Sequence, residues 1–140
     1  MSTEAPLLLD TCAAIWISGE QPFARQTTAA LERARAANQP IYVSPITAWE
    51  MGLLVSRGRM NLQMPPERWF TRLIEAPGLR LADMPPSVLV AASFLPGTPL
   101  RDPADRILAA TAREFGYQLV TRDRPLLEYA QQGHIQALAC

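Results

Sequence analysis

The sequence predicts an α/β fold in which a parallel β-sheet lies between layers of helices. Short apolar segments typical of buried strands alternate with segments carrying helix-start and helix-stop signals along the whole chain. Most of the 13 prolines stand near predicted helix starts, where a missing N–H costs little. Because we find no internal repeat, low-complexity tract or interdomain linker, we expect residues 1–140 to form a single domain.

The predicted elements follow from local signals. Serine or aspartate directly before proline marks two helix starts, at Ser44 and Asp102, and Gly116 marks a helix end. The predicted strands cover residues 7–9, 41–43, 79–82, 117–120 and 135–138. The predicted helices cover residues 11–16, 22–38, 44–56, 65–74, 85–94, 102–115 and 124–131.

Composition excludes several kinds of chemistry. The chain has 13 acidic and 13 basic residues, and every basic residue is arginine. The absence of lysine excludes a P-loop and Schiff-base catalysis, and a single histidine, His134, excludes a multi-histidine zinc site. Catalysis would therefore depend on carboxylates, hydroxyls and arginine.

The sequence also indicates a compartment. It has no apolar stretch long enough to cross a bilayer, and residues 1–6 lack the basic run of a secretory signal. Cys12 and Cys140 do not have the spacing of a zinc site or a disulfide framework. We expect a cytoplasmic protein that makes no membrane contact.

Five acidic residues are candidates for a functional site: Asp10, Glu50, Asp102, Asp105 and Asp123. Asp10 and Asp123 follow predicted strands, and Asp102 and Asp105 lie in the first turn of a predicted helix. A parallel sheet would bring such residues together at one edge. Helix capping is the alternative for each of these aspartates. Local sequence favours capping for Asp102, directly before a proline, and also for Asp10 and Asp123 taken alone, whereas for Asp105 it favours neither role.

Glu50 differs from the aspartates because helical spacing places it on the same apolar stripe as Ile46, Trp49 and Leu53. A carboxylate among apolar groups costs several kcal/mol unless it is paired or binds a cation. A buried pair with an arginine such as Arg106 is the alternative. We favour a cation.

Clustered carboxylates repel one another, and a divalent cation removes that repulsion. Oxygen ligands with few histidines favour Mg²⁺ or Mn²⁺ over zinc. Such ions stabilise charge on a phosphoryl oxygen and generate hydroxide from water, and two ions about 4 Å apart can serve both oxygens of a phosphodiester exchange. The acids therefore indicate phosphodiester chemistry.

Other residues near the acids have candidate supporting roles. Thr11 and Thr121 flank acids and would orient a carboxylate or a water, or simply form strand-end hydrogen bonds. Cys12 reads as a small buried residue rather than a nucleophile. Four arginines stand near the acids in sequence: Arg101, Arg106, Arg122 and Arg124. Of these, we predict that Arg106 and Arg122 bind the substrate. Each arginine taken singly also fits a solvated or ion-paired side chain.

Four segments, in order, resemble the motifs of PIN domains: residues 7–11 (Leu-Leu-Leu-Asp-Thr), 44–50 (Ser-Pro-Ile-Thr-Ala-Trp-Glu), 102–112 and 119–123 (Leu-Val-Thr-Arg-Asp). The resemblance is greatest to the VapC toxins of bacterial toxin–antitoxin pairs. It implies a PIN-like three-layer sandwich and a Mg²⁺- or Mn²⁺-dependent endoribonuclease. It also implies an RNA substrate, frequent homodimers and a VapB-type antitoxin.

The resemblance implies roles for individual residues. It places metal-binding, catalytic acids at Asp10, Glu50, Asp105 and Asp123, and a supporting acid at Asp102. The resembled subgroup usually has histidine where this chain has Cys12, and often where it has Leu100. These departures concern substrate contacts rather than the acids. Candidate antitoxin-contact residues, which also fit a core, are Met51, Leu54, Val55, Trp69 and Phe70.

Three alternatives remain open from the sequence. A haloacid-dehalogenase-like phosphatase also begins with an apolar strand and an aspartate, but it needs a second aspartate where Cys12 stands, and a lysine. A non-catalytic PIN scaffold that binds RNA or protein is opposed by the complete acid set. DNA cleavage would use the same metal chemistry.

Overall fold

The computed structural model describes residues 4–19, 22–97 and 100–140 of the chain. The strands in these ranges are β1 (Leu7–Leu9), β2 (Ile41–Val43), β3 (Leu79–Leu81), β4 (Gln118–Thr121) and β5 (Gln136–Ala139). The helices are α1 (Thr11–Ser18), α2 (Arg25–Ala36), α3 (Ile46–Ser56), α4 (Pro66–Glu75), α5 (Pro86–Ala91), α6 (Pro103–Phe115) and α7 (Arg124–Gln131).

The strands form one sheet in the order β3-β2-β1-β4-β5, and every neighbouring pair is parallel. Leu8 in the central strand lies beside Tyr42 of β2 and Leu119 of β4. From β1 the chain winds outward to β3 and then crosses back to β4 on the other side of β1. The winding direction therefore reverses between β1 and β4, and the crevice at such a reversal is the usual ligand site in open α/β sheets.

Alternating side chains of β1 contact two different helical layers. Leu7 and Leu9 pack in one core with α1, α2, α3 and α4, whereas Leu8 packs in a second core with α6 and α7. Helix α5 joins the second layer from outside, because Val88 packs against Ala110 of α6. The predicted α/β sandwich with a parallel sheet is confirmed.

Local signals account for the helix boundaries. The Ser44 hydroxyl accepts a hydrogen bond from the Ile46 N–H at 3.1 Å, as expected of a residue that starts a helix. Gly116 ends α6 with φ of 72°, a left-handed conformation that glycine adopts without strain. Helix α2 begins at Arg25, three residues later than predicted.

Helix α5 ends at Ala91 rather than at the predicted residue 94. The carbonyl of Ala92 would accept from the N–H of residue 96 if the helix continued, but residue 96 is a proline and has no N–H. The Arg106 guanidinium donates to that carbonyl instead, at 2.8 Å. Directly beyond Ala91 the backbone tightens, because the N–H groups of Ser93 and Phe94 donate to the carbonyls three residues before them, at 2.9 and 3.0 Å.

The apolar stripe predicted for α3 is wrong. Trp49 is 52% exposed, and the buried residues of the helix are Ile46, Thr47 and Met51. Almost every residue of α3 is apolar or small, so helical spacing alone does not select the buried face. The half-buried position of Glu50 therefore depends on its neighbours in the fold, not on an apolar stripe.

The predicted antitoxin-contact residues divide between core and partly covered positions. Met51, Trp69 and Phe70 belong to the core between the sheet and α1–α4, where they are at most 9% exposed. Leu54 and Val55 are half-buried. Of the described residues, no helix is both long enough and apolar enough to cross a membrane.

Candidate active site

The five predicted acids line one cavity of about 550 Å³ at the sheet's point of reversal. Asp10 directly follows β1, and its N–H donates to the carbonyl of Val120 in β4 at 3.0 Å, so the two strand ends are joined here. Asp123 follows β4, and α3 supplies Glu50 from its second turn. Asp102 and Asp105 come from the first turn of α6. Distant parts of the chain thus place their carboxylates around one space.

Three of these aspartates are helix N-caps. Each accepts a hydrogen bond from the backbone N–H three residues further on, at 2.8 Å for Asp10, 2.9 Å for Asp102 and 3.2 Å for Asp123. Capping, the local alternative in the sequence, is therefore correct for all three. It does not compete with a role in the cavity, because the same side chains also line it.

The caps bring the N-termini of α1, α6 and α7 to the cavity. The N-terminus of a helix carries partial positive charge, which favours nearby anions by about 0.3–1 kcal/mol per helix at exposed positions. The fold thus offsets part of the negative charge that it concentrates here.

Asp10 is held in a single orientation by two elements. Thr121 in β4 donates its hydroxyl proton to Asp10 Oδ2 at 2.6 Å, while Oδ1 is occupied by the cap. The Thr121 hydroxyl also accepts from the Asp123 N–H at 3.0 Å, so it links the two aspartates. Thr121 is fully buried and Asp10 is 5% exposed, so solvent hardly competes for these bonds.

Thr11 orients Glu50 by a hydrogen bond, as Thr121 orients Asp10. Its hydroxyl donates to Glu50 Oε1 and lies 3.2 Å from the hydroxyl of Thr47 in the same helix as Glu50. Among the described residues no arginine forms an ion pair with Glu50, so the buried pair considered as an alternative is not formed. The predicted supporting threonines, Thr11 and Thr121, are thus both hydrogen-bonded to site acids.

Burial and mutual repulsion raise the pKa values of the acids. Burial is the main cause that raises the pKa of Asp10, with Asp123 adding repulsion against two favourable hydrogen bonds. Burial also raises the pKa of Glu50, and the charges of Asp102, Asp10 and Asp123 add to it. For Asp105, burial followed by the charge of Asp123 raises the pKa to about 8. Without a counter-ion, Asp105 therefore keeps its proton near neutral pH.

The donor atoms of the cavity suit a hard divalent cation. The acids supply oxygen ligands. Cys12 is exposed to the cavity but partly shielded from bulk water there, and this desolvation, with the charges of nearby acids, raises its thiol pKa and makes its sulfur a poor ligand. Within the described ranges, no three histidine, cysteine or carboxylate side chains stand close enough to share one ion directly. Mg²⁺ is commonly held by one or two carboxylates and several waters, so this spacing remains compatible with it.

The two predicted substrate-binding arginines do not line the cavity. Arg106 donates to the carbonyls of Ala92 and Leu100, both at 2.8 Å, and so connects α6 to the segment before it. Arg122 lies over the Trp16 ring, with its guanidinium carbon 4.0 Å from the ring centroid. Backbone carbonyls and an aromatic face, rather than the acids, hold these two side chains, so their contacts do not support a substrate role.

Sequence reasoning missed part of the cavity wall. Cys12, expected to be buried, is exposed and lines the cavity. Helix α7 adds Pro125, Glu128 and Tyr129, and its C-cap adds Gln132. Their spacing of three and four residues marks one helical face and is a signal that could have been used. The remaining wall residues are Thr11, Leu100, Arg101 and Leu108.

Together these features define an α/β protein with an acidic, oxygen-lined cavity where its parallel sheet reverses. A family model for the PIN domain matches residues 7–132. Ribonuclease VapC22 of Mycobacterium tuberculosis (strain ATCC 25618 / H37Rv) is 36% identical over 121 residues, 86% of this chain and 88% of the relative. The chain belongs to the PIN-domain family.

Solved structures agree in fold. One match is VapBC2 from Rickettsia felis, whose crystal structure includes a DNA fragment from the VapBC2 promoter. It has a TM-score of 0.67 and 16% identity, over 95% of this chain and 97% of that chain. FitAcB from Neisseria gonorrhoeae matches with a TM-score of 0.51 and 21% identity, over 94% and 96%. At these identities the likeness concerns the fold alone. PIN-domain ribonucleases in general depend on a divalent metal.

The raised pKa values predict that the metal-free protein loses stability as pH rises. The folded state keeps protons that the unfolded chain releases, so the free energy of unfolding should fall between the ordinary Asp105 value of 3.8 and about 8. Asp105→Asn should flatten this fall, and Glu32→Gln, an exposed site on α2, should not. Urea unfolding in the presence of a chelator, at several pH values, measures the free energy of unfolding of each variant. An equally steep fall in Asp105→Asn would show that Asp105 is not responsible.

The hydroxyl of Thr121 should matter for metal affinity. Thr121→Val keeps the shape but removes both hydrogen bonds to the aspartates, and loss of such an orienting group typically lowers metal affinity by about 10–100-fold. Thr111→Val is the matched control, because Thr111 is also fully buried but its hydroxyl donates to the Ile107 carbonyl within α6. Calorimetric titration with Mn²⁺ compares them. Equal affinities in the two variants would count against the orienting role.

Proposed function

We propose that this chain is a divalent-metal-dependent endoribonuclease, with Mg²⁺ or Mn²⁺ as its ion, and that it acts as the toxin of a toxin–antitoxin pair. The observation that carries the proposal is the convergence of Asp10, Glu50, Asp105 and Asp123 on one cavity of a PIN domain. Bringing carboxylates from distant segments together costs free energy because their charges repel, and a bound cation would offset that cost.

Relatives support the ribonuclease assignment. The 36%-identical relative is named a ribonuclease, and the match spans most of both chains. The VapC name of that relative, together with the resemblance of the four motifs to VapC toxins, supports a cognate VapB-type antitoxin as the partner. We further propose a cytoplasmic protein that acts on RNA and forms a homodimer.

The proposed ligands are Asp10, Asp105, Asp123 and Glu50, some of which would act through bound waters, since no three of the described side chains can reach one ion directly. The fold positions each of them differently. Hydrogen bonds from Thr121 and from the α1 N-terminus fix the Asp10 carboxylate. Thr11 restrains one oxygen of Glu50. Burial, and then the charge of Asp123, raises the pKa of Asp105, so Asp105 would release a proton when an ion binds. Metal affinity should therefore increase with pH.

The bound cation would neutralise charge on the phosphodiester and lower the pKa of a coordinated water. The protein's own part is to position the ligands and to shape the space for the substrate. Leu100 and Leu108 give the cavity an apolar wall beside the acids, and Asp102 caps α6 so that Asp105 faces the same space. Preoriented ligands avoid reorganisation during reaction, which is a main source of enzymatic rate.

Removing a ligand acid should abolish metal-dependent RNA cleavage. Asp10→Asn and Asp105→Asn should each lower kcat/KM by about a hundredfold or more, because metal catalysis supplies several kcal/mol of transition-state stabilisation. Asp83→Asn, exposed and outside the cavity, should leave cleavage unchanged. A gel assay with a labelled RNA, in chelator and with Mg²⁺ or Mn²⁺ restored, measures it.

The same assay tests the rivals. Wild-type cleavage that persists in Asp10→Asn and Asp105→Asn would contradict the proposed mechanism. No cleavage by the wild type with either ion would favour a non-catalytic scaffold. A matched DNA oligonucleotide, cut as fast as the RNA, would contradict the ribonuclease assignment in favour of a general nuclease.

A further inference from the structure

We propose that Arg101 is the phosphate-binding residue of this cavity, and that it holds a backbone phosphate of the RNA next to the acids. The inference rests on the proposed function and names a residue that positions its substrate. Of the described residues that line the cavity, Arg101 is the single cation. The carboxylates around the same space are Asp10, Glu50, Asp102, Asp105, Asp123 and Glu128.

Contacts elsewhere remove the other arginines near the acids from consideration. Arg106 has two guanidinium nitrogens bound to backbone carbonyls, and Arg122 lies against Trp16. Arg124 begins α7 and is exposed, but it does not line the cavity. Only Arg101 in this group both faces the site and keeps its donors available.

Arg101 extends from a firmly held part of the backbone. The residue before it, Leu100, is 7% exposed, and its carbonyl accepts from Arg106 Nη1 at 2.8 Å. The residue after it, Asp102, caps α6 through the N–H of Asp105 at 2.9 Å. Arg101 itself is exposed between these two anchors. The backbone position is thus fixed while the long side chain is free to meet a ligand.

The electrostatics of the cavity require such a group. A polyanion approaching six carboxylates is repelled, and a divalent ion neutralises only part of that charge. No ion pair joins Arg101 to a carboxylate of the described residues, although Asp102 is its neighbour in sequence. Its guanidinium can therefore offer a phosphate two parallel N–H donors, a geometry that lysine lacks.

This role predicts a binding defect rather than a chemical one. Arg101→Gln should raise KM for a short single-stranded RNA by about tenfold with kcat unchanged, because a charge-assisted bond common to ground and transition states is lost. The slope of log Kd against log salt should become shallower by about 0.7, the value for one phosphate of a single strand. Arg101→Lys should keep that slope, since its charge remains, while KM rises less than in the glutamine variant.

The experiment compares Arg101→Gln and Arg101→Lys with Arg124→Gln, a matched exposed arginine outside the cavity. Kinetics use the otherwise native chain with Mg²⁺, and salt-dependent binding of labelled RNA is measured by anisotropy in the cleavage-deficient Asp105→Asn background. Arg124→Gln should match the wild type in KM. Thermal unfolding of each variant checks that the substitutions at Arg101 and Arg124 leave the fold stable.

Three results would overturn the proposal, and one of them also concerns the function. Arg101→Gln with the same KM and salt slope as Arg124→Gln would exclude phosphate binding by Arg101 and leave the ribonuclease assignment intact. A fall in kcat with unchanged KM would contradict a substrate-binding role. A wild type that cleaves no RNA would overturn the proposed function, and this inference with it.

Discussion

Repulsion among carboxylates gathered at one point of the sheet is the constraint on which the rest of this structure depends. In the part of the chain that the structure describes, six acidic side chains and a single arginine line the cavity. Burial raises the pKa values of Asp10, Glu50 and Asp105. A fold selected only for stability would place hydrophobic or neutral groups there. The arrangement is explained by an ion that binds these oxygens and restores their charged form.

Even without an ion, the fold lowers the electrostatic cost of placing these carboxylates close together. Three helix N-termini meet the cavity, and the aspartates that cap them use the backbone N–H groups that such ends leave unpaired. The hydroxyls of Thr11 and Thr121 hold Glu50 and Asp10 without adding charge. Capping and metal binding therefore use the same residues, because the sheet reverses where three helices begin.

Sequence reasoning succeeded where the signal is local or is carried by a motif. Each aspartate of the site stands beside a recognisable strand end or helix start, so a parallel sheet was enough to predict that Asp10 and Asp123 would meet. The four ordered motifs added Glu50, which no local signal placed correctly, since the apolar stripe argued for it includes the exposed Trp49. The metal role of these acids remains a proposal.

The contacts that individual side chains make could not be predicted from local sequence signals. Arg106 donates to the carbonyl of Ala92, just after α5, and to that of Leu100, just before α6. Arg122 lies over the ring of Trp16, about a hundred residues away in sequence. Cys12 is exposed because the first turn of α1 opens into the cavity. Such contacts depend on how elements distant in sequence pack, whereas local patterns determine the elements themselves.

The most direct test of the account is a crystal of the protein grown or soaked with Mn²⁺ and measured at a wavelength where manganese scatters anomalously. The account predicts an anomalous peak in the cavity within coordination distance of an oxygen of Asp10, Asp105, Asp123 or Glu50. The peak should disappear in Asp105→Asn or lose most of its height. A saturated crystal with no peak in the cavity, or with a peak only elsewhere, would contradict the claim that these carboxylates are gathered to bind a cation.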